Sequence, residues 1–234
     1  MFRMLRSAVL LGAAIGVAHV GILASGSSVP APAPGGGGSS MAAMTPEERA
    51  VEAYKSGDDH RVKGKKLEDE ATTKKGADVE KTLAKAKNEY QKSLKDFSNA
   101  AKLNPKLAPA YNGMGYAYRK TGDYAKALEM YDQAIELAKP QIFPEAIEYR
   151  AEAYLALNRL DDAKQAYLVL FATDRKQADI LMKAMTDWVT ARHTDAAGVD
   201  PAALAAFESW IKERSTLAGQ TASMALTAKH ETWR

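Results

Sequence analysis

Apolar and small residues recur at helical spacing from Thr45 onward, so that the chain reads as helix after helix. Two stripes at its start are complementary. Ala50, Gly57, Gly64 and Ala71 place small side chains seven residues apart, and Leu83, Tyr90 and Phe97 place large ones at the same interval. The stripes interlock as holes and knobs if the chain folds back about Gly76-Ala77-Asp78, setting 71 against 83, 64 against 90 and 57 against 97. This predicts an elongated antiparallel hairpin: a helix from Pro46 to about Lys74 capped by Thr45, returning from Asp78 to about Leu103 with Asp78 as cap. Its tip is expected to project beyond the helices that follow. Each internal Gly costs about 1 kcal/mol relative to Ala, so a helix broken between Gly57 and Gly64 is the alternative. Farther on, Ile180, Leu181, Ala184, Met185, Trp188 and Val189 keep helical spacing, and Asp200-Pro201 opens a helix bearing Leu204, Phe207, Trp210 and Ile211. Beyond Gly219 little pattern is left, and Trp233 has no assignable role.

Between these parts the chain repeats itself. Tyr90, Leu94, Phe97, Ala100 and Leu103 return thirty-four residues later as Tyr124, Leu128, Tyr131, Ala134 and Leu137. Thirty-six residues on, Tyr118, Gly122, Ala127 and Tyr131 become Tyr154, Asn158, Ala163 and Tyr167. A fixed period of this size marks stacked units. Gly and Asn most readily adopt the left-handed conformation that ends a helix, so Gly122 and Asn158 are both read as turns between paired helices.

Those residues resemble the tetratricopeptide repeat, a helix-turn-helix unit. The middle copy carries Tyr111, Met114-Gly115, Tyr118, Gly122, Tyr124, Ala127, Tyr131, Ala134 and, one place late, Pro140. The third copy keeps Ile147, Ala151, Tyr154, Asn158, Ala163 and Tyr167 but puts Arg150 where an apolar residue is expected, and it lacks the closing Pro. In the first copy only the second helix matches, through Ser93, Phe97, Ala100 and Pro105. The expected fold is all-α, a helical-hairpin solenoid with an elongated N-terminal hairpin and C-terminal capping helices. Its expected units are 45–107, 108–141 and 144–177, followed by capping helices over 178–218 and a tail over 219–234. In the caps, Trp188 and Trp210 are read as core.

The N-terminus changes the picture of where this solenoid works. Arg3 and Arg6 precede an apolar run from Ala8 to Leu23, and Ala24-Ser25-Gly26 follows with small residues. Residues 1–26 are therefore read as a signal peptide, or else as an uncleaved membrane anchor that leaves the body outside the cytoplasm. Residues 27–44, with their alternating Pro and Ala and four consecutive Gly, are read as a linker. The body is expected to be periplasmic or secreted. The net charge is +3, and losing Arg3 and Arg6 lowers it to +1, a near-neutral balance that argues against nucleic acid as a partner. There is no Cys, which excludes disulfides, thiolate metal sites and cysteine nucleophiles.

Catalytic spacing is also missing. Asp58-Asp59-His60 are consecutive and cannot share one helical face; His193-Thr194-Asp195 has no accompanying serine in a nucleophile turn; Gly113-Met114-Gly115 follows no strand. Lysines at 63, 65, 66, 74 and 75 are interrupted by Glu68-Asp69-Glu70, as on a solvated helix with local ion pairs. No enzyme activity, cofactor or metal is expected. The family resemblance implies a protein-interaction adaptor whose first helices line a groove for a peptide or partner helix; together with the N-terminal segment this makes an exported adaptor the expectation, with another protein of the cell envelope as partner. Carried over where the motif aligns, the groove positions are Asn112, Tyr116, Arg119 and Lys120 from the middle repeat and Glu148, Glu152 and Leu155 from the third. In a competing reading, Arg119 merely pairs with the facing glutamates. Two other functions stay open: self-association through the long hairpin, and an enzyme housed in the C-terminal helices.

Overall fold

The computed structural model describes residues 44–228; the expected signal segment, most of the linker and Trp233 lie outside them. Eight helices follow one another: α1 Pro46–Ala71, α2 Ala77–Leu103, α3 Ala108–Thr121, α4 Tyr124–Ala138, α5 Pro144–Ala156, α6 Leu160–Thr173, α7 Arg175–Thr194 and α8 Pro201–Ala228. Consecutive helices pack as antiparallel pairs and the pairs stack, giving an all-α solenoid. Among the described residues no helix is long and apolar enough to cross a membrane.

The small-residue stripe is the inner face of α1: Ala50, Gly57, Gly64 and Ala71 are its four buried residues. A methyl added at Gly57 would lie 2.7 Å from the Phe97 ring, and one at Gly64 would lie 2.6 Å from the Tyr90 ring. The 57/97 and 64/90 rungs are thus present, and α1 is unbroken. The third rung is looser, because Leu83 is half-buried while Thr82 and Ala86 carry the burial at that end of α2. Thr45 caps α1 through a reciprocal pair of bonds with Glu48. The helix ends at Ala71 rather than Lys74, since the Thr72 and Thr73 hydroxyls donate to the carbonyls of Asp69 and Glu70 and close its last turn. Asp78 does not cap α2. The chain reverses through Gly76 at φ 56°, so the helix is already under way at Ala77 and Asp78 falls within its first turn, where its charge suits the helix dipole.

Phe97 joins the hairpin to the next unit. Its ring also faces Gly113 of α3, where an added methyl would sit 2.5 Å away. Gly115, on the other side of α3, gives the same room to Tyr131 of α4. Gly113 and Gly115 are therefore contact points for two rings. Gly122 (φ 91°) and Asn158 (φ 58°) both take the left-handed turn expected of them. Arg150, the misfit of the third unit, bonds Asp132 and lies over the Tyr154 ring.

At the far end α7 and α8 cover the last pair. Trp188 is fully buried against Phe207, and Trp210 packs edge-on to Tyr167. Helix α8 continues to Ala228, so residues 219–228 of the expected tail are helical although they lack the apolar periodicity that would reveal a helix. His193 lies in the last turn of α7 and meets Glu208 at 3.1 Å.

Candidate functional site

Helices α1, α3 and α5, the first of each pair, touch one another along one side of the stack, the side that the repeat motif leads one to expect as concave. Contacts between Tyr116 and Tyr149, and between Arg119 and Glu152, each advance three residues on both helices, so α3 and α5 run parallel and in register. Arg61 over Tyr116 and Lys120 against Glu68 place α1 parallel to α3 as well, with α1 advancing seven residues while α3 advances four. A side chain's position on α3 therefore predicts its neighbour on α5, whereas α1 shares their direction without sharing their register.

Tyr116 is the centre of this face. Its ring meets Tyr90 edge-on at 5.9 Å and Tyr149 at 5.2 Å, with the guanidinium carbons of Arg61 and Arg119 at 5.5 and 5.2 Å and Lys120 Nζ at 5.7 Å from its centroid. Arg119 bonds Glu152, its Nε donates to the Tyr131 hydroxyl, and it lies over Tyr149 as well. The Arg119 and Glu152 side chains are only 10% and 8% exposed. Lys120 Nζ reaches Glu68 at 2.7 Å.

Glu148 is 1% exposed on the same row. Burial raises its pKa well above the ordinary carboxylate value, and the charge of Glu152 beside it raises it further, which favours the protonated form hydrogen-bonded to Glu152. For Glu152 burial pushes the same way, but Arg119 and the bond from Glu148 outweigh it and hold the group ionised, below its usual value. Burial would also discharge Arg119; Glu152 opposes this, and the guanidinium stays charged. One cation, one anion and one neutral acid thus form a compensated set inside the stack.

This geometry revises the carried-over groove. Tyr116 and Glu148 are enclosed between helices, and Leu155 belongs to the core shared by α5, α6 and α7. Arg119 pairs with a facing glutamate, as the competing reading had it, and Lys120 is engaged by α1. Asn112 remains half-buried, its Oδ1 enclosed without a partner. The motif passed over five residues that complete the face: Tyr54, Asp58 and Arg61 of α1, and Glu145 and Tyr149 of α5. Helix α1 has none of the repeat's signature residues, so nothing could be aligned onto it; the facing of Gly57 and Gly113 across Phe97 supplies the missing register.

Residues 108–139, which span α3 and α4, match the family model of the tetratricopeptide repeat. The chain carries a tetratricopeptide repeat. No curated protein matches it. The matched repeat is the unit that contributes Asn112, Tyr116, Arg119 and Lys120, and the α1/α2 and α5/α6 pairs stack on its two sides. Tetratricopeptide repeats are protein-interaction units, and binding of another protein is the role this one implies.

Proposed function

We propose that the protein is an exported, non-catalytic adaptor that holds another protein of the cell envelope, as a peptide or a helix, on the concave face of α1, α3 and α5. The observation that carries this reading is the parallel course of three contacting helices, which brings half-buried Tyr54, Asp58, Asn112, Glu145 and Tyr149 to one side of the solenoid. Such a row presents aromatic area, amide and charge together, the composition of a recognition surface. Export rests on the charged and apolar N-terminal sequence, and an uncleaved segment would make the adaptor a tethered one. The test is site-specific photo-crosslinking in intact cells. Probes at Tyr54 and Asn112 on the concave face should capture one envelope protein that a probe at exposed Glu129 of α4 does not. Equal capture from both faces would sink the groove reading. Capture of further copies of the chain itself would instead favour self-association through the hairpin. Sequencing the N-terminus of the mature protein decides between cleavage and tether.

A further inference from the structure

The ion pairs along the concave face compensate one another except at one end. Arg119 is matched by Glu152, Lys120 by Glu68, and Arg61 by Asp58, whose Oδ1 accepts from its Nε at 2.7 Å. Glu145, in the first turn of α5, has no ion pair or hydrogen bond with a described residue. It stands one turn before Tyr149, as Asn112 stands one turn before Tyr116, so the register of α3 and α5 brings the two to the same level. Asp58 approaches from α1, and the Tyr54 hydroxyl feels Asp58, Arg61 and Glu145 together. Beneath them are two enclosed acceptors that no donor reaches, Asn112 Oδ1 and Oε1 of the buried Glu148.

We infer that this end of the groove, bounded by Tyr54, Asp58, Asn112, Glu145 and Glu148, receives a cationic side chain, Lys or Arg, of the bound partner. The inference rests on the groove reading above and specifies what the groove selects. A carboxylate in the first turn of a helix also suits the helix dipole, which accounts for Glu145 by itself. It does not account for the enclosed Asn112 Oδ1 on that level, or for Glu148 Oε1 three residues farther along α5, neither of which a donor reaches. An ammonium brings three donors and a guanidinium five, and neither adds an acceptor to a place already rich in them. A partner carboxylate would meet Asp58, Glu145 and two unsatisfied oxygens, with Arg61, the one cation at this level, already bonded to Asp58. Glu145 also contributes to keeping Glu148 protonated, so a cation that neutralises it favours loss of that proton on binding.

The experiment is selection of a random peptide display library on the full chain, followed by calorimetry with one enriched peptide. Enriched peptides are expected to share a Lys or Arg at a fixed position. Glu145→Gln should weaken binding of such a peptide about tenfold, and replacing its basic residue by norleucine should weaken it as much, with little added loss when both changes are combined. Calorimetry in two buffers of different ionisation enthalpy should show proton release with the natural chain and none with Glu148→Gln, an isosteric change that keeps a donor toward Glu152. Enriched peptides that are acidic or end in a required carboxylate, or basic ones that bind Glu145→Gln as well as the natural chain, would overturn the inference while leaving the groove reading intact. If no peptide is enriched, or the enriched ones crosslink only to α4, the groove reading falls and this inference with it.

Discussion

Four glycines, at 57, 64, 113 and 115, each sit against an aromatic ring at a distance that leaves no room for a methyl group. Phe97 is held from two sides, by Gly57 and Gly113, so its ring cannot retreat from either. Gly113→Ala is expected to lower stability by about 1–2 kcal/mol in urea titration, the overpacking outweighing the gain in helix propensity. Gly219→Ala, where a methyl meets open space, should be neutral or mildly stabilising in the same assay. The buried acid makes a second prediction at this scale. The folded-state pKa of Glu148 is raised, so its contribution is fully present below the pKa of an unfolded carboxylate and declines as pH rises toward the folded value. Melting temperatures of the natural chain should therefore fall relative to those of Glu148→Gln as pH rises above the ordinary carboxylate range. An unchanged difference over that rise would show that Glu148 is already ionised. Arg119→Met should cost about 3–5 kcal/mol, because it leaves Glu152 as an unpaired buried charge; Arg119→Met with Glu152→Leu should cost less than the single change. The pairing of Arg119 with a facing glutamate was legible in the charges that the repeat motif aligned. The proton on Glu148 was not, since it depends on how deeply three helices bury one carboxyl group.

Among the elements, the long hairpin was the most readable, for an unusual reason. Helix α1 has little apolar surface of its own, and what announced its partner was an interval of small residues matched by an interval of large ones. Its ends were harder to read. The turn is governed by the backbone of Gly76, so the acidic residue two places later resembled a cap without being one. Thr45 is a true cap, with Glu48 closing the box, and Thr45→Ala should cost about 1 kcal/mol in urea titration, with fraying of the first turn of α1 visible as faster amide exchange. Helix α8 was half legible: Leu204, Phe207 and Ile211 show its buried stripe, after which the chain stays helical with no stripe to show it. Burial, not helicity, is what hydrophobic spacing records.

At the scale of the molecule, the two ends of the solenoid differ. The outer side of the α1/α2 hairpin is polar: the Ser56 hydroxyl donates to Asp96, and His60 bridges to Glu89 at 2.6 Å. That face needs no neighbour. The other end is closed only by α7 and α8, which cover Leu155, Tyr167 and Leu170. A chain ending at Asp174 should bare this apolar surface and sediment as concentration-dependent oligomers, whereas the intact chain should not do so through that face. The division of the core into separate clusters along the stack follows from the same one-dimensional build, in which each pair touches mainly its neighbours.

The placement of the aromatic residues gives the protein two separate optical reporters. All ten tyrosines fall between Tyr54 and Tyr167, and three of them, Tyr54, Tyr116 and Tyr149, belong to the concave face; the described tryptophans, Trp188 and Trp210, are confined to the terminal cap. With Trp233 replaced by Phe, indole emission excited at the red edge therefore reads the state of α7 and α8, while the near-ultraviolet bands of the phenol rings include the three that belong to the groove. An occupant of the groove would register in the phenol bands and leave the indole spectrum still, so binding and loss of the cap can be followed in one cuvette without attaching a label.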